Sequence, residues 1–150
     1  MLRTAGRLRV TGFLLDTNVI SETVRPRPEP HVLNWFRGRT ARNLFLSTVT
    51  LGELVRGSLK LDDPARSLRY QQWITRDLAG QFEGRILAFD DRAAAIWGEI
   101  MAAGDRAGHP RPALDAQIAA VARRHDLILA TRNTRDFRDM DLPLVNPWRD

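Results

Sequence analysis

The sequence predicts a three-layer α/β fold with a central parallel sheet of four to five strands, and three observations lead there. Four short, mostly apolar runs recur along the chain: Phe13–Leu15, Leu44–Ser47, Arg85–Phe89 and Leu127–Ala130. Each is followed by residues with helical spacing or by a polar loop that leads to them. The first, second and fourth runs stop abruptly at polar side chains: Asp16, Ser47 and Thr131. Short apolar runs bounded this way read as strands buried on both faces, and alternation with helices implies parallel strands joined by right-handed crossovers.

Taken in order, residues 1–12 carry Arg3, Arg7 and Arg9 without an apolar segment and read as a flexible basic leader. Residues 13–150 read as one domain, long enough to bury about two-thirds of the unfolded surface. Phe13–Leu15 is the first strand, and Thr17 and Asn18 are good helix starters. That helix stops before Pro26. Pro30 suits a first helical position, with Val32, Leu33 and Phe36 on one face and Gly38 at the end. Leu44–Ser47 is the second strand. Thr50 to Glu53 matches a capping box, which would place Glu53 in a first turn. Asp62-Asp63-Pro64 opens a helix expected to turn Leu68, Ile74 and Leu78 inward, with Gly80 near its end. Tyr70, Trp73 and Phe82 read as packing. Arg85–Phe89 is the third strand, and Asp90 caps a helix through Ile96, Trp97, Ile100 and Met101. Ala113–Ala122 is strongly helical, with Asp115 in its first turn. Leu127–Ala130 is the fourth strand, and Pro143–Trp148 can supply a last short one.

Composition narrows the function classes. No cysteine is present, so any metal must rest on oxygen or histidine. No run of about 18 apolar residues exists, so no membrane span is expected, and the lack of a targeting segment points to the cytoplasm. The net charge of +5 and pI near 11.0 favour an anionic partner, nucleic acid first. Lys60 is the only lysine, and such an arginine bias also follows from genome base composition, so charge alone is weak support.

The chemistry-bearing residues share one address. In a parallel sheet, strand C-termini and the following helix N-termini lie on one edge, where ligands bind. Asp16 ends the first strand; Glu53 and Asp115 sit near helix starts; Thr131, Asn133 and Asp136 follow the fourth strand. Each acid also has an ordinary reading: Asp16 as a cap, Glu53 as the capping-box partner, Asp115 as a complement to the helix dipole. Together, three carboxylates at one spot would repel and raise one another's pKa, and a hard cation bound through oxygen removes that conflict. Mg²⁺ or Mn²⁺ fits, and can activate water and neutralise charge on a phosphodiester.

These same residues carry a family resemblance. Leu15–Glu22, Ser47 to Leu54, Asp115 with Ile118-Ala119-Ala120, and Ala130–Asn133 resemble the signature blocks of PIN-domain ribonucleases, closest to the VapC toxins and their FitB-like members, which also tend to end in Asn-Pro-Trp, here Asn146–Trp148. The resemblance spans nearly everything from Phe13 to Trp148 and makes residues 13–150 a PIN-like nuclease domain. It implies a toxin of a type II toxin–antitoxin system: a Mg²⁺- or Mn²⁺-dependent endoribonuclease acting on RNA such as tRNA or rRNA. Asp16, Glu53 and Asp115 would be metal ligands, and Asn133 stands where the family often has a fourth acid. Asp136 could compensate for it, and Thr131 could orient a ligand or water. A homodimer and a small DNA-binding antitoxin are implied as partners. The alternatives are a catalytically weak PIN-like module that binds nucleic acid or antitoxin, and a Rossmann-like phosphatase. The second lacks support, because Asn18 stands where a haloacid-dehalogenase-type enzyme wants a second Asp.

Overall fold

The computed structural model describes residues 12–150; the leader expected over residues 1–12 lies outside the described residues except for Gly12. Five parallel strands form one sheet in the order β3-β2-β1-β4-β5. They are β1 (Phe13–Leu15), β2 (Leu44–Ser47), β3 (Ile86–Leu87), β4 (Ile128–Ala130) and β5 (Leu144–Val145). The chain thus doubles back from β1 in both directions, and β1 is central. A crevice opens at such a reversal, beyond the strands' C-terminal ends.

Alternation along β1 separates two cores. Leu14, with Leu129, packs under α6 (Asp91–Arg106) and α7 (Ala113–Arg124), whose inner residues include Ile100, Ile118 and Val121. Phe13, Leu15 and Leu46 pack on the other side against Val19 and Ile20 of α1 (Thr17–Glu22), Trp35 of α2 (Pro30–Arg37) and Leu54 of α3 (Thr48–Leu59). Successive strand side chains point to opposite faces, which is what makes three layers from one apolar run. Pro30 occupies the first turn of α2 and Gly38 its C-cap, as the sequence suggests. Glu22, although buried, accepts the Glu29 N–H at 3.0 Å and pairs with Arg25 at 3.2 Å, clasping the proline-rich link.

Four local expectations are corrected. Helix α3 is capped by Ser47, whose Oγ accepts the Thr50 N–H at 3.1 Å, so no Thr50–Glu53 box forms and Glu53 lies in the second turn. Leu68 of α4 (Pro64–Gln72) is 56% exposed. The inward stripe is Ser67, Tyr70, Gln71 and Ile74, spaced i, i+3, i+4, i+7, and Leu68 is one step off it. Finally, α4 continues through a π-helical stretch, Trp73–Leu78, into α5 (Ala79–Gln81). Ile74, Leu78 and Phe82 are all buried at intervals of four, a spacing that outruns 3.6 residues per turn and is accommodated by the wider π turn. Strand β3 is shorter than expected because it is the sheet edge: after Leu87 the chain leaves, and the Phe89 N–H donates to Thr48 Oγ1 at 3.2 Å. Among the described residues, no helix is long and apolar enough to cross a membrane.

Candidate active site

Asp16 follows β1 and is only 6% exposed. Its backbone N–H donates to the Ala130 carbonyl at 2.9 Å, which fixes it against the end of β4. Oδ1 accepts the Thr17 N–H at 2.8 Å. Oδ2 accepts the Thr131 hydroxyl at 2.7 Å and the Asn18 amide at 3.3 Å. Burial pushes the Asp16 pKa up; the bonds from Thr131 and Thr17 pull against that, and Glu53 and Asp136 push it further up. The capping reading of Asp16 is therefore true of Oδ1 alone.

Glu53 reaches the same place through a relay of hydroxyls. Thr17 Oγ1 donates to Glu53 Oε1 at 2.9 Å. With its single proton used there, its oxygen remains for Thr50 Oγ1, 3.2 Å away. Thr50 in turn lies 3.3 Å from Ser47 Oγ. The relay is nearly dry, since Ser47 and Thr50 are fully buried. It ties β2 and α3 to α1 beside Asp16.

Asp115 arrives from a third direction, in the first turn of α7. That turn is held by Trp97 of α6, whose Nε1–H donates to the Ala113 carbonyl at 3.2 Å. The Asp115 pKa is raised to about 6, by burial first, then by Asp16, Asp136 and Glu53. A dipole-complementing acid would be lowered instead. Asp115 thus feels the charges of Asp16, Asp136 and Glu53.

The loop after β4 closes the site. Thr131 is fully buried and, besides binding Asp16, accepts the Asn133 N–H at 3.1 Å. Asn18 Oδ1 accepts the Arg132 N–H at 3.2 Å. Asn133 therefore contributes its backbone here; its exposed side chain faces an arginine-lined cleft together with Asp136. Thr17 and Asn18, read in the sequence only as helix starters, prove to be the clamp on Asp16 and Glu53. Their position directly after a strand-ending Asp was the available signal.

The donor set suits a hard cation: carboxylates and hydroxyls, no sulfur, and two carboxyls whose charged forms are disfavoured without a positive neighbour. Among the described residues, no three acids or histidines close tightly enough to cage a metal alone. Mg²⁺ does not need that, since it keeps several waters and takes one or two carboxylates.

A family model for the PIN domain matches residues 13–142. The chain belongs to the PIN-domain family. Ribonucleases with this domain are in general metal-dependent. This PIN domain is 38% identical over 139 residues to toxin FitB of Neisseria gonorrhoeae, covering 92% of this chain and 99% of that protein. It is 32% identical over 136 residues to the tRNA(fMet)-specific endonuclease VapC of Salmonella typhimurium, covering 91% and 97%. Among solved structures it resembles FitAcB from Neisseria gonorrhoeae, with TM-score 0.86, 36% identity and coverage of 92% and 99%. It also resembles FitAB bound to an IR36 DNA fragment, with TM-score 0.85, 35% identity and coverage of 92% and 96%. The expected fold class and family are borne out.

Proposed function

We propose that this PIN domain is the toxin of a type II toxin–antitoxin pair and acts as a Mg²⁺- or Mn²⁺-dependent endoribonuclease. What supports this reading is that Glu53 is bonded to Thr17 directly beside Asp16, and that the pKa values of Asp16 and Asp115 are both raised by burial first and then by acidic neighbours. The relatives support the same reading, being named a toxin and a tRNA endonuclease. The neighbouring complexes of toxin with antitoxin and DNA support a small DNA-binding antitoxin as partner.

Asp16, Asp115 and Glu53 would hold the cation. When bound, it supplies an activated water and neutralises charge on the phosphodiester. The chain's own contribution is positional. Thr131 and Thr17 fix the two oxygens of Asp16, and the Ser47–Thr50–Thr17 relay fixes Glu53. Fixed acids are what in-line attack demands, since a small displacement of reacting groups costs much of the rate.

The test is cleavage of a defined RNA by purified protein with metal titrated, beside Asp16→Asn. Wild type should cut only with the divalent cation, and Asp16→Asn should lose at least about a hundredfold in kcat. A folded Asp16→Asn that cuts at the wild-type rate would remove Asp16 from the site. For the partner, a short gene beside this one should encode a protein that co-purifies with the chain and suppresses cleavage; an active enzyme left uninhibited would count against the pairing.

A further inference from the structure

Beside the acids lies a cleft of opposite sign. It has a volume of about 330 Å³ and is lined by Arg132, Arg135, Arg138 and Arg149, with Asp136 the one carboxylate. Among the described residues, none of the four guanidiniums has an ion-pair partner within 4.0 Å. Like charges gathered without a partner raise the folded energy unless an anion is met there.

The cleft is built, not incidental. Arg132 lies 5.1 Å over the Trp148 ring, a cation–π contact that restricts its guanidinium. Trp148 is itself held: its N–H donates to Asn146 Oδ1 at 2.9 Å, and the Asn146 N–H donates to Asp150 at 2.8 Å. The loop that supplies Arg132 and Arg135 begins at Thr131, whose hydroxyl binds Asp16. One short segment therefore carries an acid-binding hydroxyl and, on the next residue, the first arginine of the cleft.

We infer that this cleft is a phosphate subsite, holding the RNA backbone one or more nucleotides away from the phosphate cut at Asp16, Glu53 and Asp115. The inference rests on the ribonuclease reading above. Guanidiniums bind phosphate oxygens in pairs of parallel bonds and read no sequence, so these arginines are positioning residues. They set affinity and register and leave the chemical step to the acids.

Binding of a labelled single-stranded RNA is measured by fluorescence anisotropy across a salt series, on chains carrying Asp16→Asn so that nothing is cut. Adding Arg135→Ala with Arg149→Ala should weaken binding roughly tenfold and lower the salt slope by about 1.4, near 0.7 for each phosphate no longer neutralised. In the otherwise wild-type chain the same pair should raise KM and leave kcat within about twofold. The charge control is Arg37→Ala with Arg42→Ala, which both precede β2 and so lie toward the N-terminal ends of the strands. Trp148→Ala should weaken binding in the same direction, and Trp148→Phe should restore it. Unchanged binding in the Arg135/Arg149 pair, an equal loss in the control pair, or a fall in kcat at constant KM would overturn the subsite while leaving the nuclease intact. An Asp16→Asn chain that binds no RNA at all would overturn the ribonuclease reading, and the subsite with it.

Discussion

Thr131 shows how much one hydroxyl decides at the residue scale. It is fully buried and donates to an acid that burial already opposes. Thr131→Val keeps the shape and removes the donor, so the Asp16 carboxylate loses a charge-assisted bond. Activity at pH 7 should fall roughly tenfold, the acid limb of the pH–rate profile should move up, and Thr131→Ser should recover most of the loss. Asp115 makes a second expectation, about stability. Its folded pKa, about 6, lies above the ordinary 3.8, so the folded state binds the extra proton between those values. Stability from this group is then present at low pH and is lost as pH rises toward 6 and beyond. Metal-free wild type should lose Tm relative to Asp115→Asn on going from pH 4 to pH 7. Mg²⁺ should raise the wild-type Tm at pH 7 and do little at pH 4. A Tm difference that does not change with pH would show that folding does not raise the Asp115 pKa.

At the scale of elements, the turn between α6 and α7 aims Asp115. A Cβ at Gly104 would stand 2.8 Å from the His109 carbonyl oxygen and 2.9 Å from Arg111 Cγ, so the turn packs directly on the helix backbone. Gly104→Ala should cost about 1–3 kcal/mol in urea unfolding, as overpacking does, and reduce cleavage by displacing the start of α7. Gly98 on the same helix meets nothing within 4 Å, and Gly98→Ala should be neutral or stabilising by up to about 1 kcal/mol. The pair separates a packing cost from a helix-wide effect. The π turn after α4 belongs to this scale too. No residue type announces it; it follows from Ile74, Leu78 and Phe82 all being drawn into one core.

Over the whole molecule, charge is arranged rather than merely in excess. Asp16 follows the central strand β1 and is felt by Asp115, and arginines line a cleft in the loop whose Thr131 binds Asp16. On the proposed reading, a phosphodiester chain would lay one phosphate near the acids and another among the guanidiniums. Cleavage should accordingly weaken as salt rises, through KM rather than kcat.

Much of this was legible beforehand. Apolar runs marked β1, β2 and β4, because a strand buried on both faces needs no partner pattern to be recognised. Asp62-Asp63-Pro64 marked one helix start and Asp90, as a cap, another, since that chemistry is local. Asp16, Glu53 and Asp115 were singled out by their places after strands and at helix starts. What sequence could not settle was everything that depends on a partner distant in the chain. Leu68 faces solvent because the stripe around Ser67 packs on α3 instead. The Thr50–Glu53 box gave way to Ser47, freeing Glu53 for Thr17, 36 residues earlier. Arg132 is held at the arginine cleft by Trp148, far along the chain. Local periodicity and capping are properties of a few neighbouring residues; orientation, desolvation and charge clustering are set by which elements meet, and only the folded chain decides that.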